Sequence, residues 1–393
     1  MITTPAPRTA ESLSERERHL VFIALLASVT AAGFAIGGIM PLVSFLLERR
    51  GTPASLIGVN AALPVAAIIL MSLLLGRLAR TFGIKAVLFT GLFLTAGATL
   101  AMAYFTSLEA WMALRFLTGL GAGAHWILSE TWINAVAPDH RRGLYSGIYS
   151  TMFSLGFVIS PIVLTQIDIE TALPFHLLIG LMLASALPLW LARNLLPDVT
   201  AESGAPAWHM LRTGPLIFAA ALAAGISDAS LWALLGVYAL RNAIAEADTL
   251  VLLSVFAAGT VVLQPLIGWL ADRDGLQRWL TFSAAAGAVG ALLLPFAVGS
   301  PLFLWALLFP WGGLMVGLYT LGLAQMGRRF QGASLAGANA LFISLYTVGS
   351  MTGPPVYGMA MDRYGPNALP IGVAVCCAAL VIASLAAGRT SRV

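Results

Sequence analysis

Charged residues are scarce in this 393-residue chain, where Asp, Glu, Lys and Arg together make up 10% of the sequence. In soluble domains these four residue types make up about 25% of the sequence, so the composition excludes an ordinary water-soluble protein. Hydrophobic residues account for 59%, as expected for a protein within the lipid bilayer. The net charge of +4 does not indicate nucleic acid, because most basic residues lie in short loops between apolar segments, a pattern typical of membrane proteins.

Cysteine and the common catalytic motifs are nearly absent. The two cysteines, Cys376 and Cys377, are adjacent within an apolar segment, where they fit core residues better than a disulfide or a metal site. The chain has no glycine-rich phosphate loop, HExxH motif or paired Cys/His spacing, so neither ATP, a metal nor another cofactor is expected. Residues 139–142 come nearest to a catalytic cluster, but their position in a cytoplasmic loop accounts for their charges. We therefore predict that the chain is not an enzyme.

Long apolar segments dominate the sequence. A helix that crosses a bilayer needs about 20 apolar residues, and six such segments lie on each side of a polar stretch. The segments are near residues 20–47, 54–76, 84–104, 108–136, 143–167, 172–193, 213–240, 247–271, 279–298, 300–326, 333–361 and 367–387. We predict an all-α integral membrane protein with twelve transmembrane helices.

The basic residues indicate the orientation of these spans. With the N-terminus inside, sixteen of the 21 basic residues fall in cytoplasmic segments, four in outer loops and one within a span. Cytoplasmic loops carry such an excess, so both termini are predicted to lie in the cytoplasm. The predicted domains are an N-terminal tail (1–19), a six-helix bundle (20–193), a polar linker (194–212), a second six-helix bundle (213–387) and a C-terminal tail (388–393).

The two predicted bundles resemble each other at a nearly constant offset. The segment "GRLARTFG" begins at Gly76, and "GWLADRDG" begins at Gly268, 192 residues later. The segment "ALRFLTG" recurs as "ALLFPWG", and Gly156 recurs as Gly349, both 193 residues later. Three matches in the same order indicate a duplicated six-helix unit with two parallel repeats.

Three motifs resemble those of the major facilitator superfamily. The loop signature after the second helix of each half is clear in "GWLADRDGLQR" and degraded in "GRLARTFGIK", where Arg80 stands at the usual aspartate position. In the fourth span, "RFLTGLGAG" is similar to the family's arginine followed by spaced glycines, and "APDHRRG" is similar to the loop that follows. The stretch "SETWIN…RRG" looks most like poorly characterised bacterial members near the drug-efflux branch.

This resemblance implies a monomeric transporter of the bacterial inner membrane, in which the two halves expose a central cavity to one face at a time. The loop signatures imply a conformational latch. Its residues would be Gly268, Asp272, Arg273, Gly275 and Arg278, with Gly76, Arg77, Gly83 and Arg142 in the first half.

Ionisable residues inside the predicted spans are the main candidate functional residues, because a charge in the bilayer persists where it faces water or a partner. Arg115 and Glu130 are 15 residues apart on the fourth span, and helical periodicity predicts one broad face for both. At the repeat offset both positions are leucine, Leu308 and Leu323, so packing alone does not require these charges. Asp228 lies near the middle of the seventh span. We predict that Asp228 and Glu130 couple transport to protons, although a static hydrogen-bonded role is the alternative for each.

Further polar and aromatic residues would line the cavity, since by the resemblance the first, fourth, seventh and tenth spans surround it. Core packing explains the aromatic residues nearly as well. The cavity candidates on these spans are Arg115, Trp126, Asn134, Trp232, Trp311, Tyr319 and Gln325, and Gln264 on the eighth span is a further polar candidate.

Together these features predict a proton-coupled secondary transporter for a small organic solute. Export of an amphipathic compound is favoured only weakly, because the fifth span reads "GFVISPIVL" and lacks the second glycine of the family's antiporter motif. Uptake of a small organic anion, with Arg115 as counter-charge, or of a sugar is the alternative. A third alternative is a non-transporting sensor, against which the buried acids argue because such a role would not need them, or a membrane enzyme, which would need a catalytic cluster at an interface.

Overall fold

The computed structural model describes residues 13–138, 141–196, 208–331 and 333–390. In these ranges the chain is helical and contains no strand. The α-helices are α1 (Glu15–Arg49), α2 (Ala54–Phe82), α3 (Ile84–Tyr104), α4 (Leu108–Val136), α5 (Arg142–Leu164), α6 (Leu173–Leu191), α7 (Pro215–Arg241), α8 (Glu246–Val262), α9 (Gln264–Asp274), α10 (Leu276–Ala297), α11 (Pro301–Arg329), α12 (Ala333–Tyr364) and α13 (Ala368–Thr390).

Twelve spans account for these thirteen helices. Nine helices of the described ranges are long and apolar enough to cross a membrane. The helices α8 and α9 meet at a bend of 41° and together form one further span. The remaining two, α4 and α12, have 29 and 32 residues, which is ample length for a bilayer. The predicted all-α fold with twelve transmembrane helices is confirmed.

The bend between α8 and α9 lies inside the apolar segment 247–271, for which one unbroken helix is predicted. Proline has no backbone N–H and its ring clashes with the preceding turn of a helix. Pro265 lies in the first turn of a new helix, where it is tolerated best, since α9 begins at Gln264. The apolar periodicity continues across this break, which explains why the prediction misses it.

The chain packs as two compact units. The first consists of Met1–Ile39, Leu63–Ser160 and Ile167–Glu202, and α3 packs along α4 and α6 within it. The second consists of Met40–Ala62, Pro161–Gln166 and Ser203–Val393, and α7 packs along α12 within it. The domain boundaries predicted above differ from this division and stay a prediction.

Glycine contacts repeat at the offset of the duplication. A Cβ atom on Gly33 of α1 would lie 2.3 Å from the carbonyl oxygen of Phe153 on α5. In the second unit, a Cβ atom on Gly225 of α7 would lie 2.0 Å from the carbonyl oxygen of Tyr346 on α12. Gly225 and Tyr346 follow their counterparts by 192 and 193 residues. Each helix pair therefore approaches through its backbone, as small residues permit in membranes.

The substitution Gly225→Ala is expected to destabilise the protein, because its methyl group would overlap the backbone of α12, which cannot move aside as a side chain can. Such overpacking typically costs about 1–3 kcal/mol. The melting temperature of purified protein in detergent, followed by size-exclusion fluorescence, measures this loss. Gly97→Ala is the matched control, since a Cβ atom there meets nothing within 4 Å. An equal effect of both substitutions would contradict the close approach.

Candidate functional site

Asp228 lies near the middle of α7 and receives hydrogen bonds from two aromatic residues. The hydroxyl group of Tyr346 on α12 donates to its Oδ2 at 2.7 Å, and the side chain of Trp232, one turn further along α7, also hydrogen-bonds it. The other oxygen, Oδ1, is buried without a hydrogen-bond partner. No basic side chain of the described ranges forms an ion pair with Asp228. The carboxyl group is thus held in place but not neutralised by a cation.

Further aromatic rings pack against the two aromatic partners of this carboxyl group. Tyr319 of α11 packs against Tyr346 with ring centroids 4.9 Å apart. Trp232 contacts Phe256 at 5.7 Å, and Phe256 contacts Trp311 at 5.9 Å. Trp311, one of the predicted cavity residues, is only 2% exposed, and its indole N–H donates to a backbone carbonyl oxygen of α10.

The two glutamine candidates differ in their surroundings. Gln264 joins α9 to α11, because its Nε2 donates to the carbonyl oxygen of Gly313 at 2.9 Å and its Oε1 accepts from Thr320 at 2.8 Å. This contact holds the lower half of the bent span against α11. In contrast, Nε2 of Gln325 is buried without a hydrogen-bond partner, so this side chain can still bind another group.

Glu130 lies on an exposed stripe of α4 with Trp126 and Asn134, as their spacing of four residues predicts. The side chain of Trp126 hydrogen-bonds the Glu130 carboxyl group, and its ring packs against Phe153 at 5.1 Å. Asn134 donates to the backbone carbonyl oxygen of Glu130 at 2.9 Å. The stripe carries one acid, an indole and an amide on a single helix face.

The shared face predicted for Arg115 and Glu130 is not found, because Arg115 is only 5% exposed. The face of Arg115 continues one turn further to Gly119, which packs against Pro64 of α2. Arg115 and Glu130 differ by a rotation of about 60° around the axis of α4. This rotation places Arg115 on a packed face and Glu130 on an exposed one. Nε of Arg115 is buried without a hydrogen-bond partner, and no acid of the described ranges forms an ion pair with it.

The predicted latch residues lie around the ends of α2 and α9. Gly83 and Gly275 have φ of +84° and +107°, values that favour glycine, and each precedes the next helix. Asp272 forms an ion pair with Arg328 of α11 at 2.7 Å. Arg273 contacts Asp274 at 3.4 Å and lies over the ring of Trp269.

The other latch residues show fewer contacts. Arg77 and Arg278 are exposed, and Gly76 and Gly268 lie within α2 and α9. The side chain of Arg142 lies outside the described part of the structure, as do Asp139 and His140. Whether these residues act as a latch stays a prediction.

A cluster of charges that was not predicted from the sequence lies in the second unit, at the helix ends that face away from the end of α9. Arg241, at the end of α7, binds both oxygens of Glu48 of α1 at 2.7 and 3.0 Å. It also contacts Asp362 of α12 at 3.4 Å. Asp362 in turn accepts hydrogen bonds from the backbone N–H groups of Ala54 and Ser55 at 2.8 and 2.9 Å, so it caps the N-terminus of α2. We call Glu48, Arg241 and Asp362 the outer cluster.

Comparison with known families decides what kind of protein carries these features. The family model of the Major Facilitator Superfamily matches residues 25–244 and 217–392. The chain belongs to this superfamily.

Relatives and solved structures of the superfamily cover nearly the whole chain. The uncharacterized MFS-type transporter YfkF of Bacillus subtilis is 24% identical over 358 residues, which cover 88% of this chain and 89% of YfkF. The uncharacterized MFS-type transporter YcaD of Salmonella typhi is 24% identical over 355 residues, which cover 89% of this chain and 91% of YcaD. The crystal structure of the nucleoside transporter NupG has a TM-score of 0.74 at 15% identity and covers 93% of this chain and 98% of its own.

The chain is therefore a multi-pass membrane transporter of the major facilitator superfamily, and not an enzyme. Its duplication explains how Tyr346 could have been found from the sequence. At the repeat offset, Asp228 and Tyr346 correspond to Ile36 and Phe153. The second half of this MFS protein thus has a carboxyl group and a hydroxyl group where the first half has two apolar side chains.

Proposed function

We propose that this MFS protein is a monomeric, proton-coupled secondary transporter of the bacterial inner membrane. It would move a small organic solute by alternating access of a central cavity. The observation that carries this proposal is the carboxyl group of Asp228, which lies in the middle of a spanning helix without a cation. An uncompensated charge at this depth is costly, so a carboxyl group that exchanges a proton with each aqueous face is a coherent role for it.

The hydrogen bonds to Asp228 support this role. A carboxylate accepts hydrogen bonds at both oxygens, whereas a protonated carboxyl group also donates one. Tyr346 and Trp232 supply donors, and the buried Oδ1 has none. This arrangement accommodates the ionised form through two donors and leaves one oxygen for a proton.

Glu130 is the second candidate for proton coupling. It lies on an exposed stripe, and the equivalent position in the second half is Leu323. The fold therefore does not need an acid at either candidate position, because Asp228 corresponds to Ile36 and Glu130 to Leu323. Charges that packing does not require support a role in transport.

Export of an amphipathic compound is the first choice for the direction of transport. The aromatic side chains Trp126 and Trp232 each lie one turn from an acid and offer ring faces to an organic solute. The likeness to the drug-efflux branch seen in the stretch "SETWIN…RRG" favours the same direction. Ser160 in α5, at the position of the second glycine of the antiporter motif, keeps this preference weak.

Uptake of a small organic anion, or of an uncharged polar solute such as a sugar, is the second candidate function. It rests on Arg115, whose buried Nε has no partner and which could pair with a solute anion in bidentate geometry. The nucleoside transporter NupG, which has a similar fold, carries a polar solute, and this is compatible with uptake.

A liposome assay tests the function and separates the two candidates. The purified protein is placed in liposomes that hold a pH-sensitive dye, and amphipathic cations, organic anions, sugars and nucleosides are added in turn. Proton-coupled export predicts that amphipathic cations change the internal pH, and that Glu130→Gln reduces the rate to less than about one-tenth. Solute flux without proton movement, unchanged in Glu130→Gln, would leave a uniporter. A response to anions alone that Arg115→Gln removes would establish the second candidate.

A further inference from the structure

A cavity of about 350 Å³ lies in the first unit between the start of α1, the end of α4 and the start of α5. The orientation from the basic residues places these helix ends at the cytoplasmic surface. The cavity is separate from the acids proposed above, since Glu130 and Asp228 do not line it. Its size is in the range of small-molecule sites.

Most of the charged and polar side chains described in the lining of the cavity are basic. Arg18, His19 and Arg141 contribute basic side chains, and Glu15 is the one acid among the lining residues that the structure describes. Nε of Arg18 is buried and has no hydrogen-bond partner. A buried donor without an acceptor is uncommon in folded proteins, so a ligand oxygen would complete the site.

The deeper wall of the cavity is apolar. Val136 at the end of α4 is 1% exposed. The ring of Tyr145, which also lines the cavity, packs on Phe22 of α1 with ring centroids 4.1 Å apart. Basic groups beside apolar lining residues, at the level where a membrane meets the cytoplasm, match a ligand with an anionic head and an apolar body.

We propose that this cavity binds a phosphate-type oxyanion through Arg18 and Arg141, and that its source is the headgroup of an anionic phospholipid in the inner leaflet. Guanidinium groups pair with phosphate oxygens through two parallel hydrogen bonds. Basic pockets between transmembrane helices on the cytoplasmic side bind anionic headgroups for the same reason. A free phosphate compound would use the same groups, and the experiment distinguishes the two sources.

The experiment measures the melting temperature of the purified full-length protein in detergent at rising concentrations of dihexanoyl phosphatidylglycerol. A ligand that binds the folded state raises this temperature. We expect a saturable rise with phosphatidylglycerol and a weaker one with dihexanoyl phosphatidylcholine, whose choline group repels the site. In Arg18→Gln and in Arg141→Gln, the half-saturating concentration should rise at least about tenfold.

Three further variants keep the result interpretable. Arg16→Gln removes a charge from an exposed position of the same helix turn that does not line the cavity, so its response should equal that of the original protein. Glu15→Gln removes the acid of the described lining and should lower the half-saturating concentration. If Arg18→Gln fails to fold, Arg18→Lys keeps the charge but loses the bidentate geometry and should give an intermediate value.

Two outcomes separate the sources, and two overturn the proposal. If glycerol 3-phosphate or inorganic phosphate gives the full rise at the same concentrations, the ligand is a free oxyanion; if neither does, it is the lipid. The proposal is wrong if the original protein responds to none of these compounds. It is also wrong if the double variant Arg18→Gln, Arg141→Gln responds to phosphatidylglycerol as the original protein does. Because the assay involves no transport, its result does not depend on proton coupling.

Discussion

Asp228→Asn is expected to reduce solute-driven proton movement to less than about one-tenth of the original rate, because the amide cannot bind and release a proton at physiological pH. Asparagine has the shape of aspartate, and its oxygen can still accept the hydrogen bond of Tyr346. The protein should therefore fold and bind solute. The measurement is the initial rate of internal pH change in dye-loaded liposomes, with the first solute that gives a response.

Two further variants test whether this effect belongs to the site. Asp248→Asn replaces an exposed acid in the first turn of α8, and it should leave the rate unchanged. Tyr346→Phe keeps the carboxyl group but removes one of its donors, so transport should persist with an altered pH dependence. Full proton movement in Asp228→Asn, at normal protein yield, would remove Asp228 from the coupling mechanism.

Arg241→Ala is expected to open the outer end of the second unit. Without the guanidinium group, the carboxylates of Glu48 and Asp362 repel each other and lose the cation that joins α1 to α12. A part-exposed bidentate network of this kind contributes about 1–2 kcal/mol, which corresponds to about a tenfold shift in a two-state equilibrium. The outer surface should therefore admit a water-soluble probe about ten times more often.

A buried reporter cysteine measures this opening. Ser44 of α1 is 5% exposed, and Ser44→Cys is close to isosteric. With Cys376 and Cys377 replaced by alanine, the reporter is labelled from outside by a membrane-impermeant maleimide, with and without Arg241→Ala. Arg363→Ala is the control, because Arg363 is exposed beside Asp362 and does not belong to the outer cluster. Equal labelling rates in all three proteins would show that the outer cluster does not hold this region closed.

The sequence predicts the fold well because the membrane imposes a strong pattern. Each span needs a long apolar segment, and such segments are visible without knowledge of tertiary contacts. The duplication is equally visible, since Gly156 and Gly349 occupy matching positions. The bend at Leu263 was not predicted, because apolar character continues through it and only Pro265 marks it.

The candidate site was predicted in part. Asp228 and Glu130 stand out because acids are rare in apolar segments. Tyr346 was missed because a tyrosine in a spanning helix is unremarkable by itself, and its partner is 118 residues away in the chain. The outer cluster was missed for a different reason. Charges at helix ends are expected for topology alone, so single residues such as Arg241 give no sign of the partners that the fold brings to them.

The contacts of Asp362 with the first turn of α2 make the outer surface sensitive to the medium. The side chains of Glu48, Arg241 and Asp362 are 17%, 22% and 27% exposed, so dissolved ions approach them. At physiological ionic strength, charges are screened over about 8 Å, and over about 3 Å in 1 M salt. A concentrated external salt solution would thus loosen this network while the buried carboxyl group of Asp228 stays shielded, so that external salt acts on one face of the transporter alone.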